Sequence, residues 1–234
     1  MKRLFLSIAL LITTVFCARA QNDIGNNLFQ HMRKDALILS QNGMVRGDEA
    51  LKGFINDFEA KHGAVKSYKK EFSIEVNAVL DYEIGQITTA SEAFKVMFLK
   101  RKDDPNAAKI EFLTLYSDEN PVAMPDGIDQ QRNLWMQHCN AHQADKLVSE
   151  VYTPDAYYYN RGRLLQGTKA ITAEYGYMNS ANYSLKLTPK HVAFVSPNIA
   201  YEIGRCSGSY PLPYMLLWEK QANGTWQVLM DSNY

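Results

Sequence analysis

Few side chains in this sequence are placed to move a proton or hold a ligand, and spacing alone gives surroundings to only one of them, Asp231. Asn223-Gly224 is the dipeptide of a two-residue hairpin turn. A tight turn there pairs Ala222 with Thr225, Trp218 with Leu229 and Leu216 with Asp231. Side chains alternate across a strand, so Tyr214, Leu216, Trp218, Leu229 and Asp231 share one face. Met215, Leu217, Trp226, Val228 and Met230 share the other. A carboxylate in aromatic company loses hydration, which raises its pKa and suits it to proton transfer near neutral pH. At the rim of a fold the same residue would be a solvated acid, and both readings are open at this point.

The histidines offer less. His138 and His142 are four apart on a helical stretch, a spacing that can bring two imidazoles to one metal. No His-Glu-xx-His or Cys-xx-Cys pattern supplies further ligands, so no metal is assigned. His142, close to the stripe that carries Trp135, is the second acid–base candidate. His138 lies on the flank of the opposite stripe and is expected at a domain interface, and His191 reads as surface. Arg161 and Arg163 flank a turn and read as solvated, with an anion-gripping role as the alternative. No Gly-rich phosphate loop, Gly-x-Ser-x-Gly elbow or Cys/His nucleophile pair is present, so no cofactor is assigned. Cys139 and Cys206 read as buried free thiols, with a bridge as the alternative if their backbones come close enough.

The elements that must position these residues occur twice. Asp35-Ala36, Met44-Val45, Gly47 and Ala50-Leu51 recur as Asp155-Ala156, Leu164-Leu165, Gly167 and Ala170-Ile171, and Tyr82-Glu83-Ile84-Gly85 recurs as Tyr201-Glu202-Ile203-Gly204. Two matches in the same order at nearly one offset indicate a duplicated domain. Each unit reads as helix, strand, helix and a meander of strands. In the first, 23–33 is a helix with Asp23 as cap, 36–40 a strand, and a second helix opens at 47–49 with Asp48 as cap. Residues 117–127, with Pro121, Pro125 and Gly127, form the linker. The second unit opens with one long helix, 128–152, stopped by Thr153-Pro154. It carries two apolar stripes, and a surface helix needs only one. It is therefore expected to lie between its own sheet and the other domain. Thr168 is the candidate cap of the next helix.

At the amino terminus Lys2-Arg3, the apolar run Leu4 to Phe16 and Ala18-Arg19-Ala20 read as a secretory signal cleaved before Gln21. The run is shorter than the roughly 20 residues of a membrane span. The expected product is a secreted or periplasmic protein with no membrane attachment after cleavage. Twenty-five basic residues balance 25 acidic ones, which leaves no electrostatic footprint for nucleic acid.

Trp135, Leu147, Val151-Tyr152-Thr153-Pro154-Asp155-Ala156, Gly167-xx-Ala170-Ile171, Ala200-xxx-Gly204 and Leu217-Trp218-Glu219-Lys220-Gln221-x-Asn223-Gly224-x-Trp226-x-Val228-xx-Asp231, in that order, resemble the SnoaL-like branch of the nuclear-transport-factor-2-like superfamily. That superfamily includes ketosteroid isomerase. The resemblance covers nearly all of 128–234, and 35–116 more weakly through the repeat. It implies an α+β fold of two cone-shaped domains, each a curved antiparallel sheet wrapped around helices, over 21–116 and 128–234. The first copy is expected to be degenerate, since Leu99-Lys100-Arg101 stands where a Trp-x-Lys signature belongs.

All three tryptophans and eleven of the fourteen tyrosines lie in 128–234, as an aromatic binding pocket or an aromatic core requires. The lining is assigned to Trp135, Tyr159, Tyr201, Tyr214, Trp218 and Leu229. Three functions are compatible with the chain. The favoured one is an exported protein whose second domain binds a small apolar or amphipathic molecule. An isomerase-like enzyme using Asp231 or His142 is the second, and a structural or oligomerising module, with a homodimer through sheet faces, the third. Fold resemblance does not choose among them.

Overall fold

The computed structural model describes residues 28–102, 109–121 and 126–234, so the leader and the Asp23 cap lie outside the described residues. In the first unit a 3-10 turn (Leu28–His31) leads into β1 (Met32–Ser40), β2 (Gly43–Arg46), helix α1 (Asp48–His62), β3 (Ser67–Asn77), β4 (Leu80–Thr88), β5 (Ala93–Arg101) and β6 (Lys109–Ser117). The second contains α2 (Ile128–Asn140), α3 (Ala144–Val151), β7 (Tyr152–Asn160), β8 (Arg163–Gln166), α4 (Thr168–Glu174), a 3-10 turn (Tyr175–Asn179), β9 (Leu185–Ser196), β10 (Ile199–Gly208), β11 (Pro213–Lys220) and β12 (Trp226–Asn233). Strand order is β2-β1-β6-β5-β4-β3 in one sheet and β8-β7-β12-β11-β10-β9 in the other, the same path twice. Pairing is antiparallel except where β1 meets β6 and β7 meets β12. Helices cover one face of each sheet, giving two cone-shaped α+β domains.

The repeated residues do the same local work in both units. Gly47 (φ 94°) and Gly167 (φ 80°) take a left-handed backbone immediately before α1 and α4. Neither Asp48 nor Thr168 is the cap, and no side chain caps either helix. Strand β1 skips register against β6 between Met32 and Leu37, and β7 skips against β12 between its residues Tyr152 and Tyr157, opposite Val228 and Met230. Gly85 and Gly204 each lie under a tyrosine ring, of Tyr68 and Tyr214 respectively, where a Cβ would overlap the ring.

Two expected elements differ. The chain from Met32 is already strand, so the described end of the expected 23–33 helix is only the turn at Leu28–His31. The expected 128–152 helix is two helices. Its break falls at Ala141–Gln143, where His142 adopts φ 59° and the amides of Ala141, His142 and Gln143 donate to Gln137, Cys139 and His138. The reversal brings both stripes, Trp135 and Cys139 with Leu147, Val148 and Val151, into one core against one sheet face. The second stripe therefore does not face the other domain, and the long helix is not sandwiched.

What joins the units is sheet against sheet. Tyr82, Ile84, Met97, Leu99 and Phe112 pack on Tyr201, Ile203, Met215, Leu217 and Met230. Within this layer Tyr82 Oη lies 3.0 Å from Ser232 Oγ, Tyr201 Oη donates to Lys95 O at 3.1 Å, and Tyr159 Oη donates to Glu111 at 3.2 Å. His191 stacks on Phe72 at 5.1 Å, so the residue expected at the surface is half-buried at this junction. Burial lowers its pKa.

Candidate functional site

The site is built on β12. The expected two-residue turn is longer: Gln221 N–H donates to Thr225 O, and Lys220 pairs with Trp226. That shifts the register by one, so Trp218 pairs with Val228 and not with Leu229. A bulge between Leu217 and Trp218 then shifts it back, and Leu216 does pair with Asp231. Trp226 and Val228 consequently share the helix-covered face with Tyr214, Leu216 and Trp218, while Leu229 and Met230 both turn to the back. The two departures cancel before Asp231, which keeps its expected face.

Asp231 is buried, and the hydroxyls of Tyr152 (2.9 Å) and Tyr175 both donate to its Oδ2. The two hydroxyls lie 2.9 Å from each other. Burial pushes the carboxyl up to about 6, against the opposing effect of the two hydrogen bonds. Burial and the Asp231 charge raise both tyrosines far above their ordinary range, so they stay neutral donors. Tyr152 is the first residue of β7, and Tyr175 begins the 3-10 turn after α4. Neither was assigned to the site from sequence, where Tyr152 stood only in the motif 151–156; both lie far from Asp231 along the chain, and only the closed fold joins them.

Asp231 borders a cavity of about 340 Å³ whose walls include Trp135, Tyr158, Tyr175, Tyr177, Tyr183, Tyr210 and Tyr214, with Met178, Leu185, Leu187 and Leu216. The volume lies in the range of small-molecule sites. Tyr177 and Tyr210 stand at its outer end, exposed and edge to face at 5.7 Å. Asn160, Arg161, Glu174 and Asn233 supply polar groups. Tyr158 donates to Asn233 (2.7 Å), and Arg163 pairs with Glu174.

The structure thus brings Trp135, Tyr214 and Asp231 of the expected set to one cavity. Tyr159, Tyr201 and Leu229 do not line it: they face the back of the sheet, in the core between the units. Strand parity decides this for Tyr159 and Tyr201, which neighbour Tyr158 and Ala200 of the opposite face, while the register shift turns Leu229 to the back. Trp218 is on the correct face but lies in the packed core, where its Nε1 donates to Glu202 at 2.9 Å. His142 does not reach the cavity either; its Nδ1 lies 3.2 Å from Met178 O, because the helix break turns the ring to the 3-10 turn. His138 is not at the domain junction but bonds Glu150 of α3 at 2.9 Å. Cys139 and Cys206 are free, and burial pushes the Cys139 thiol up to about 12, which leaves no thiolate for nucleophilic work.

A second buried acid supports the site from behind. Glu202 accepts from Arg132 (2.8 and 2.7 Å), Tyr214 (2.7 Å) and Trp218. The bidentate pair ties α2 to β10 across the cone and fixes the ring of Tyr214 over Gly204.

No family model and no curated protein matches the chain. Solved structures do, and they include NTF2-like and ketosteroid-isomerase-like proteins. An NTF2-like protein of unknown function from Shewanella oneidensis is 21% identical, with 47% of this chain matching 98% of that one at a TM-score of 0.41. A ketosteroid isomerase-like protein from Erwinia carotovora atroseptica is 18% identical over 46% of this chain and 92% of its own, TM-score 0.36. A further NTF2-like protein of unknown function, from Silicibacter pomeroyi, is 12% identical over 45% and 90%, TM-score 0.39. Each is a likeness in fold to about half of the chain.

Proposed function

We propose that the second unit binds a small apolar or amphipathic molecule in the Asp231 cavity, that the first unit serves as its built-in partner, and that the protein works outside the cytoplasm. The observation that carries the binding reading is the cavity itself: an aromatic space left open beside a buried carboxylate. A purely structural cone would be expected to fill such a space with side chains, since interiors pack closely. The packing of the two sheet faces supports the role given to the first unit. Export rests on the sequence pattern of residues 2–20.

A second reading, proton transfer on a bound substrate, is favoured by one observation. A carboxyl near pKa 6 is largely ionised at neutral pH yet more basic than an ordinary aspartate, as a general base should be. His142 contributes nothing to it from its position.

The test is native mass spectrometry of protein purified from its host, beside a Leu216→Trp variant that fills the cavity. A small apolar molecule carried by the unaltered protein and absent from the variant is expected. Equal yields from both would overturn the binding reading.

A further inference from the structure

Four acidic residues, counted whole, are buried among the described residues, and three of them are answered by a cation. Glu83 has Lys100 at 3.0 Å, Glu111 has Arg101 at 2.7 Å, and Glu202 has Arg132 at 2.7 Å. Asp231 has only the hydroxyls of Tyr152 and Tyr175. A buried carboxylate is normally paired, because two neutral dipoles do not replace a lost hydration shell. Both hydroxyls occupy Oδ2, and Oδ1 receives neither.

The positive groups nearby do not fill the gap. Arg161 lines the cavity but is exposed and forms no ion pair with Asp231, and Arg163 is taken by Glu174. The space beside Asp231 is walled by tyrosine and tryptophan, whose electron-rich rings attract organic cations. At about 340 Å³ it is far larger than a bare metal ion needs, the other carboxylate on its wall, Glu174, is taken by Arg163, and among the described residues no group of three or more His, Cys, Asp or Glu could hold a metal.

We propose that the ligand of this cavity is a small organic ammonium ion, its nitrogen against Asp231 Oδ1 and its apolar part in the tyrosine-lined space. This rests on the binding reading above and names the ligand's chemical class. An anion would meet an unanswered negative charge at the cavity floor. A neutral ligand would leave that charge buried and unpaired, whereas an ammonium supplies the partner that the other three acids find within the chain.

Isothermal titration calorimetry of the full chain at neutral pH with 2-phenylethylammonium and with 2-phenylethanol tests this. The two probes match in size and differ in charge. The ammonium is expected to bind about ten-fold or more tighter than the alcohol. In Asp231→Asn the preference should vanish while the alcohol binds as before, which also shows that the cavity persists. Equal or tighter binding of the alcohol to the unaltered protein, or an ammonium preference that survives in Asp231→Asn, would overturn the ammonium and leave the cavity. Failure of both probes to bind would overturn the ammonium and the binding reading together.

Discussion

Asp231 costs the fold something whenever it is ionised. Its carboxyl rises from 3.8 in an open chain to about 6 in the folded one, because burial outweighs the two tyrosine hydrogen bonds. Below the lower value it is protonated in both states and has no effect on stability. Between the two, the folded protein keeps a proton that the unfolded chain has lost, so stability falls as pH rises through this window. The shift corresponds to a loss of about 3 kcal/mol, complete by about pH 7. Asp231→Asn removes the ionisation but keeps an oxygen to accept from Tyr152 and Tyr175. Urea unfolding from pH 4 to 7.5 should therefore show the variant gaining about 3 kcal/mol on the unaltered protein as pH rises. A pH-independent difference would mean that Asp231 is better solvated than its burial implies. From sequence the residue was legible, but its face came out as expected only because the longer turn and the bulge cancel before Asp231. Its tyrosine partners were not legible, because no spacing relates positions 152, 175 and 231.

At the scale of elements, the cavity depends on how α2 is held across the sheet, and Arg132 supplies its buried ion pair to β10. Arg132 is 5% exposed, and its guanidinium grips a fully buried Glu202 through Nε and one terminal nitrogen. Removing one member of such a pair leaves the other charged and unpartnered, typically a loss of about 3–5 kcal/mol. Arg132→Met should lower the unfolding free energy by that amount, and adding Glu202→Gln should restore a large part of it. A loss under about 1 kcal/mol would class the bridge with surface pairs. The same element shows where periodicity misleads. Two apolar stripes on 128–152 imply a sandwiched helix only if the helix is continuous, and the break at Ala141–Gln143 carries neither proline nor glycine to announce it. His142 accepts φ 59° there because the packing of Leu147, Val148 and Val151 beside Trp135 repays the strain.

Across the whole molecule the main event is the meeting of two sheet backs. Tyr82 reaches Ser232, and Tyr201 reaches Lys95 O near Thr114, so each unit sends one tyrosine of its Tyr-Glu-Ile-Gly stretch into the other. With such a junction, calorimetry of the full chain should give one unfolding transition. A fragment starting at residue 126 would expose Tyr201, Ile203, Met215, Leu217 and Met230 to water. It should associate or precipitate in size-exclusion chromatography with light scattering. A monomeric fragment melting at the temperature of the full chain would show that the halves are merely tethered. The exposed surface is the sheet back and not a helix stripe, since both stripes stay covered within their own cone.

The sequence alone determined what is periodic or repeated: two units, the glycines that start α1 and α4, and the strands. These follow from backbone geometry, which acts over a few residues and leaves its mark in spacing. Only the tertiary structure decided that Tyr152 and Tyr175 donate to Asp231, that Tyr159, Tyr201 and Leu229 serve the junction instead of the cavity, and that α2 and α3 fold back on one sheet. The reason is that burial and pairing of charge are properties of the closed cone. Whether a carboxylate ends beside an arginine, as Glu202 does, or beside two hydroxyls, as Asp231 does, is set by which strands close next to which helix.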